Sequence, residues 1–292
     1  MAITTVFGVP HYYELTTVGS SPPLVFIHGW LLSHKYWQPV LNYLNQKYSC
    51  LTYDLRGFGQ SRFELDQFLP GIPAAAAHLH CSSSAYSLAT YARDLGELLH
   101  QLKLDSVWLV GHSLGGSIAL WTAYCFPDLV KGVICLNAGG GIYIEKDFQR
   151  FRQVGRQIVR WRSPWLKYLP LLPLLLSRAM VVQPLGYRWG YRRLEDLVEA
   201  NPQAALGALL ESTTEPEVHL LPRLVSSLSQ PTYFLAGCQD TVMEPRFVKH
   251  LAAYLPIGDA RTSPVIELAN CGHMAMLEQP EKVVETILDL IA

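Results

Sequence analysis

Short uninterrupted apolar runs recur along the chain, and stretches with helical spacing separate them. Leu24–Ile27 (LVFI) shows none of the alternation of a half-exposed strand, so it predicts a strand buried on both faces. The same reading gives strands over Tyr48–Tyr53, Ser106–Val110, Gly132–Leu136, Thr232–Ala236 and Val265–Leu268, after an opening strand or hairpin over Val6–Thr16. Helical spacing falls over Ser33–Asn45, Ser87–Gln101, Leu114–Cys125 and Pro245–Tyr254, with a closing helix from Gln279. Strands alternating with helices imply an α/β architecture, a mostly parallel sheet flanked by helices on both faces. The alternation breaks between Gly139 and Ser229. The expected division is a core of residues 1–138 and 230–292, with a helical insertion of residues 139–229 after the sixth strand.

Sheets of this kind place their sites at the carboxyl ends of the strands. There the chain carries Ile27-His28-Gly29-Trp30, DLRGFGQS from Asp54, and Gly111-His112-Ser113-Leu114-Gly115. Asp240 follows Thr232–Gly237, and His273 follows Val265–Leu268. A serine between a strand and a helix is either a nucleophile or a helix cap. A serine, an acid and a histidine in that order, all at strand ends, favour the nucleophile and match a strand–turn–helix elbow. A hydroxyl alone is a poor nucleophile, so His273 is expected to take the Ser113 proton and Asp240 to orient His273. Gly111 and Gly115 lack the Cβ atoms that a tight turn would exclude. The helix starting at Leu114 aims free N–H groups at the reacting oxygen. The backbone N–H groups of Leu114 and Trp30 are the expected oxyanion donors. Asp54 is expected to fix its own turn, and Glu145 lies too far beyond Leu136 to be the preferred acid. His112 reads as structural and His28 as a loop-shaping residue whose ring could face the site. His28, Tyr143 and Trp161 are the substrate-binding candidates.

The motifs HGW at 28–30, DLRGFGQS at 54–61, GHSLGG at 111–116, GCQD at 237–240 and CGHMAMLEQP at 271–280 resemble those of the α/β-hydrolase superfamily. With the strand–helix order they span nearly all of the chain outside the insertion. The resemblance implies the α/β-hydrolase fold and a catalytic triad of Ser113, Asp240 and His273. It also implies no metal, no organic cofactor, and an insertion that caps the pocket. A serine nucleophile disfavours the haloalkane dehalogenase and epoxide hydrolase chemistries, which need a carboxylate. The expected activity is hydrolysis of an ester or thioester with a hydrophobic part through a Ser113 acyl-enzyme. One alternative is a lyase of menaquinone or phylloquinone biosynthesis that eliminates pyruvate from an anionic substrate. Against it, Ser117 stands where those lyases carry an arginine. The other is a receptor-like ligand-binding protein with slow turnover.

Charge changes the picture only locally. A net charge of -1 over 292 residues gives no pull toward nucleic acid. Six cysteines without a CxxC pair suit a reducing compartment rather than a zinc site or a disulfide framework. MAITTVFGVP lacks the parts of a signal peptide, so the cytoplasm is expected. From Ile144 to Arg193, however, eleven Lys or Arg face two acids, Glu145 and Asp147, which leaves the remainder near -10. Phe151, Val154, Ile158 and Val159 share one helical face there, and Arg152, Arg156 and Arg160 recur on another. Trp161, Trp165 and the leucine-rich Leu166–Leu176 follow. Three readings fit: a helix packed on the body with solvated arginines, a basic lid on an anionic membrane that admits a lipid-like substrate, or arginines that hold a substrate carboxylate or phosphate. Leu169–Leu176 falls far short of the ~20 residues that span a bilayer. The loop Phe63–Ala85 is expected near the pocket mouth, and its His78 and His80 are assigned no metal.

Overall fold

The computed structural model describes residues 2–18, 22–62, 71–79, 81–141, 145–256 and 263–292, with the side chains of 145–147 outside that description. One sheet holds β1 (Ala2–Val6), β2 (Val9–Thr16), β3 (Leu24–Ile27), β4 (Cys50–Tyr53), β5 (Val107–His112), β6 (Val130–Leu136), β7 (Thr232–Gly237) and β8 (Val265–Leu268). Their spatial order is β1-β2-β4-β3-β5-β6-β7-β8. The opening segment is a hairpin, because Phe7 and Gly8 both take positive φ, as its tight turn requires. β2 pairs antiparallel with β4, and every pair from β4 to β8 is parallel.

The apolar runs are continuous because both sheet faces are covered. Val25 and Ile27 of β3, with Val107 and Leu109 of β5, join one core cluster. Leu24, Phe26, Trp108 and Val110 join the other. Helices α2 (Leu88–Leu102) and α3 (Leu114–Cys125) cover the first face. α1 (Gln38–Leu44) and the last helix cover the second. The helix expected over Ser33–Asn45 is broken. His34–Trp37 forms a 3-10 turn and α1 begins beyond it, since Pro39 has no N–H to continue one ladder through.

Between β6 and β7 the chain leaves the sheet. It forms α4 (Glu145–Trp161), a 3-10 turn at Pro164–Tyr168, α5 (Leu172–Leu176), α6 (Tyr187–Glu199), α7 (Pro202–Ser212) and α8 (Glu215–Ser226). The core then resumes with α9 (Pro245–Ala252) between β7 and β8, and ends with α10 (Ala275–Glu278) and α11 (Pro280–Ile291). Among the described residues no helix is long and apolar enough to cross a membrane.

Candidate active site

The elbow after β5 is strained. Ser113 has φ 53° and ψ -119°, a left-handed conformation that costs a non-glycine residue about 1–3 kcal/mol. Its side chain makes no capping bond to α3, although it stands at the N-cap. A Cβ on Gly111 would collide with the Gly115 carbonyl, and one on Gly115 with the Ile27 carbonyl. The close approach of elbow, helix and β3 therefore needs glycine at both positions. Leu114 opens α3, so its N–H has no acceptor within the helix. Gly29 brings the neighbouring loop alongside, since a Cβ there would lie 3.3 Å from the Ser113 Cβ. Trp30 comes next, and its indole Nε1 donates to the Ala205 carbonyl at 2.7 Å.

The ends of β7 and β8 bring Asp240 and His273 together. His273 Nδ1 donates to Asp240 Oδ2 at 2.7 Å. A carboxylate only accepts, so the proton sits on Nδ1 and Nε2 presents its lone pair. The other oxygen, Oδ1, accepts the N–H groups of Val242 and Met243 at 2.8 and 2.9 Å. Burial works against the charged form of Asp240. The adjoining His273 and the two N–H groups outweigh it and hold the carboxyl below its ordinary range. Ser113 and His273 line the same cavity.

Several expected roles change. The His28 ring is fully buried, donates from Nδ1 to the Gly29 carbonyl at 2.8 Å, and accepts the Leu55 N–H on Nε2 at 3.0 Å. Burial pushes it down to about 4, so it stays neutral and shapes the loop. It does not line either cavity at Ser113, so it is removed from the substrate-binding set. Trp161 is removed too. It ends α4 on the outside, turned to solvent rather than to a cavity. Tyr143 and the Glu145 side chain lie outside the described residues. Asp54 stays with its own turn, where it accepts the Gln60 N–H, and also accepts from the His34 N–H and His34 Nδ1. His78 Nε2 lies 3.2 Å from the Tyr124 hydroxyl, and His80 is outside the described residues.

Four residues make contacts that spacing did not specify. His112 Nε2 donates to the His273 carbonyl at 2.7 Å, and burial pushes its ring down to about 3. Asn137 Nδ2 donates to Asp240 Oδ2 at 2.9 Å and to the Gly272 carbonyl at 3.0 Å. Glu278 accepts the N–H groups of Gly272 and Met274 at 3.1 Å, and those of Val182 and Gln183 at 2.7 and 3.3 Å. The His273 N–H in turn donates to the Met180 carbonyl at 2.8 Å. Arg193 is buried at the cavity wall, with Nη1 donating to the carbonyls of Leu176 and Ala179 at 2.6 and 2.7 Å.

Two cavities meet at Ser113. The larger, about 360 Å³, is roofed by Phe151, Val154, Gly155 and Ile158 of α4. The smaller, about 80 Å³, reaches past Leu114 and Ser117 toward Gly139 and Phe148. Phe151 borders both. The apolar stripe of α4 thus faces the cavity as well as the body. Val159 packs on the core, and Arg152 bonds to the carbonyls of Leu210 and Thr213 instead of standing free in solvent.

A model of the family described as alpha/beta hydrolase fold matches residues 22–280. An uncharacterized protein of Mycobacterium tuberculosis is 28% identical over 97% of this chain and 78% of its own. A pimeloyl-[acyl-carrier protein] methyl ester esterase of Pseudoalteromonas atlantica is 24% identical over 94% of this chain and 95% of its own. Among solved structures, a thermophilic esterase from Thermogutta terrifontis superposes with a TM-score of 0.73 at 21% identity, over 99% of this chain and 97% of that one. At that identity the likeness speaks for the fold.

Proposed function

The chain belongs to the alpha/beta hydrolase fold family, and on that premise we propose that it hydrolyses carboxylic esters with a hydrophobic part through an acyl-Ser113 intermediate. One observation carries the reading. The Asp240–His273 pair opens on the same cavity as a strained Ser113 whose hydroxyl caps nothing. In the proposed cycle Ser113 Oγ attacks the ester carbonyl carbon while its proton passes to His273 Nε2. Asp240 stabilises the resulting imidazolium. The Leu114 and Trp30 N–H groups receive the oxyanion. The carbonyl re-forms as the C–O bond breaks, and the leaving alcohol takes the proton from His273. Water then repeats the sequence on the acyl-enzyme and frees the acid and Ser113. Asn137 and His112 act through others, Asn137 by holding Asp240 and His112 by holding the His273 backbone. The two cavities suit an ester with one long apolar half and one short half. No cofactor enters these steps.

Turnover of p-nitrophenyl esters from acetate to palmitate, and of methyl esters of the same acids, tests the reading. Ser113→Ala is expected to lower kcat at least about a thousandfold, with a folded protein by circular dichroism. Undiminished turnover in that variant refutes the acyl-enzyme. Arg193 favours a second reading, a lyase acting on an anionic substrate, because it sets a cation at the cavity wall. Carboxylated esters turned over in preference to neutral ones of equal length would support that reading.

A further inference from the structure

We propose that the outward face of the insertion docks on an anionic phospholipid bilayer, and that the larger cavity opens at that face. The docking goes beyond the ester reading, and only the route into the cavity rests on it.

The first observation is apolar surface held outward. Trp161, Trp165, Tyr168, Leu171 and Leu175 are 73%, 57%, 85%, 67% and 64% exposed, within fifteen positions of one another. Large apolar side chains exposed together in so short a stretch mark an interaction surface. Leu171 and Leu175 are held outward, because α5 is clamped from behind. Gly190 of α6 lies against the Pro173 carbonyl so closely that a Cβ there would collide with it. Arg193 binds the Leu176 and Ala179 carbonyls at the end of the same helix. The leucines on the other side of α5 are thereby fixed toward solvent.

The second observation is charge. From Phe148 to Leu194 the chain has ten Lys or Arg and no Asp or Glu. Arg150, Arg156, Arg160, Arg178 and Arg188 are exposed. Of the ten, Lys167 pairs with Glu199 and Arg192 with Glu195, just beyond the segment, and the exposed arginines form the outward charge. A second copy docked face to face would set these cations against their own kind. An anionic bilayer supplies the opposite charge and a hydrocarbon layer for the leucines and aromatics.

The third observation is where the cavity lies. Val154, Ile158 and Met180 line it and are also exposed to solvent. Its lip is therefore built from the same insertion as the apolar face. An ester lying in the outer leaflet of a docked bilayer reaches Ser113 without crossing bulk water.

The test is sedimentation of the full chain, and of Ser113→Ala, with vesicles of phosphatidylglycerol and phosphatidylcholine in equal parts or of phosphatidylcholine alone. Pelleting at least tenfold stronger with the anionic vesicles, and weakened by 0.5 M salt, is expected. Leu171→Ser with Leu175→Ser should abolish it. Arg160→Gln with Arg178→Gln should weaken partitioning about thirtyfold, taking roughly 1 kcal/mol per cation near such a surface. Both double variants should melt at the wild-type temperature and turn over a short soluble ester unchanged. Equal, negligible pelleting with both vesicles overturns the proposal. So does a dimer in solution that both double variants dissociate and that does not pellet. Pelleting does not use the triad, so a chain that pellets without hydrolysing esters sinks the ester reading and leaves the docking standing.

Discussion

Replacing Glu278 by glutamine changes no volume and removes one acceptor oxygen. Its carboxyl is the meeting point of four backbone N–H groups, two beside His273 and two in the segment after α5. Gly272 is within 3.1 Å of both oxygens and can keep a partner in either amide orientation. Met274 reaches only Oε1, while Val182 and Gln183 reach only Oε2. Whichever way the amide turns, at least one N–H faces an NH₂ group instead of an acceptor. Stranding one buried donor from a charged partner costs about 2–3 kcal/mol. For a chain of this size that is a fall in Tm on the order of 3–5 °C. Glu278→Ala, which strands all four, should fall further. Differential scanning calorimetry reads the shift, and ester turnover reads whether His273 keeps its place. A Glu278→Gln protein that melts with the wild type and turns over normally would refute the reasoning. It would mean that other contacts hold both segments.

Three further predictions follow from single contacts. Burial raises the Glu217 carboxyl to about 7 despite the Trp121 indole bond at 2.6 Å, so the folded protein keeps a proton that the unfolded chain gives up above pH ~4.5. That stabilisation is full below pH ~4.5 and is lost as pH rises through ~7. Glu217→Gln should therefore gain about 3 kcal/mol on the wild type between pH 4.5 and 8, and parallel denaturation profiles would contradict it. Asn137→Ala frees Asp240 Oδ2 from one of its two partners and should lower kcat about tenfold with KM little changed; steady-state kinetics showing wild-type kcat would remove Asn137 from the site. Phe151→Ala joins the two cavities and should move the ester chain-length optimum to longer chains. An unchanged optimum would show that the ring does not divide them.

What could be read from residues alone follows from the range of the forces involved. β3, β5 and β6 were legible because strands buried on both faces must be apolar without interruption. The elbow was legible because two glycines flank Ser113 at fixed offsets, and the order of Ser113, Asp240 and His273 places all three at strand ends. Asn137 and Glu278 were not legible. Each bonds to a group about a hundred positions away, and an asparagine after a strand or a glutamate in a short helix carries no mark of such a partner. Asn137 left one faint signal, a polar residue at a strand end facing Asp240 across a neighbouring strand. Trp161 failed for a different reason. Helical spacing says which residues share a face, but a helix over a cavity has an inner and an outer face, and only the packing of α4 separates them. His28 was ambiguous because a buried imidazole that bridges two loops has the same spacing as one that meets a ligand.

The tie between the Met180 carbonyl and the His273 N–H has a consequence for access. With Glu278 gripping Val182 and Gln183 as well, the α5 side of the insertion is fastened to the loop that carries His273. A movement that lifted this side would drag His273 away from Asp240. Any route to Ser113 that leaves His273 on Asp240 must therefore leave this side in place, so Leu176 and Met180 are a fixed wall of the larger cavity.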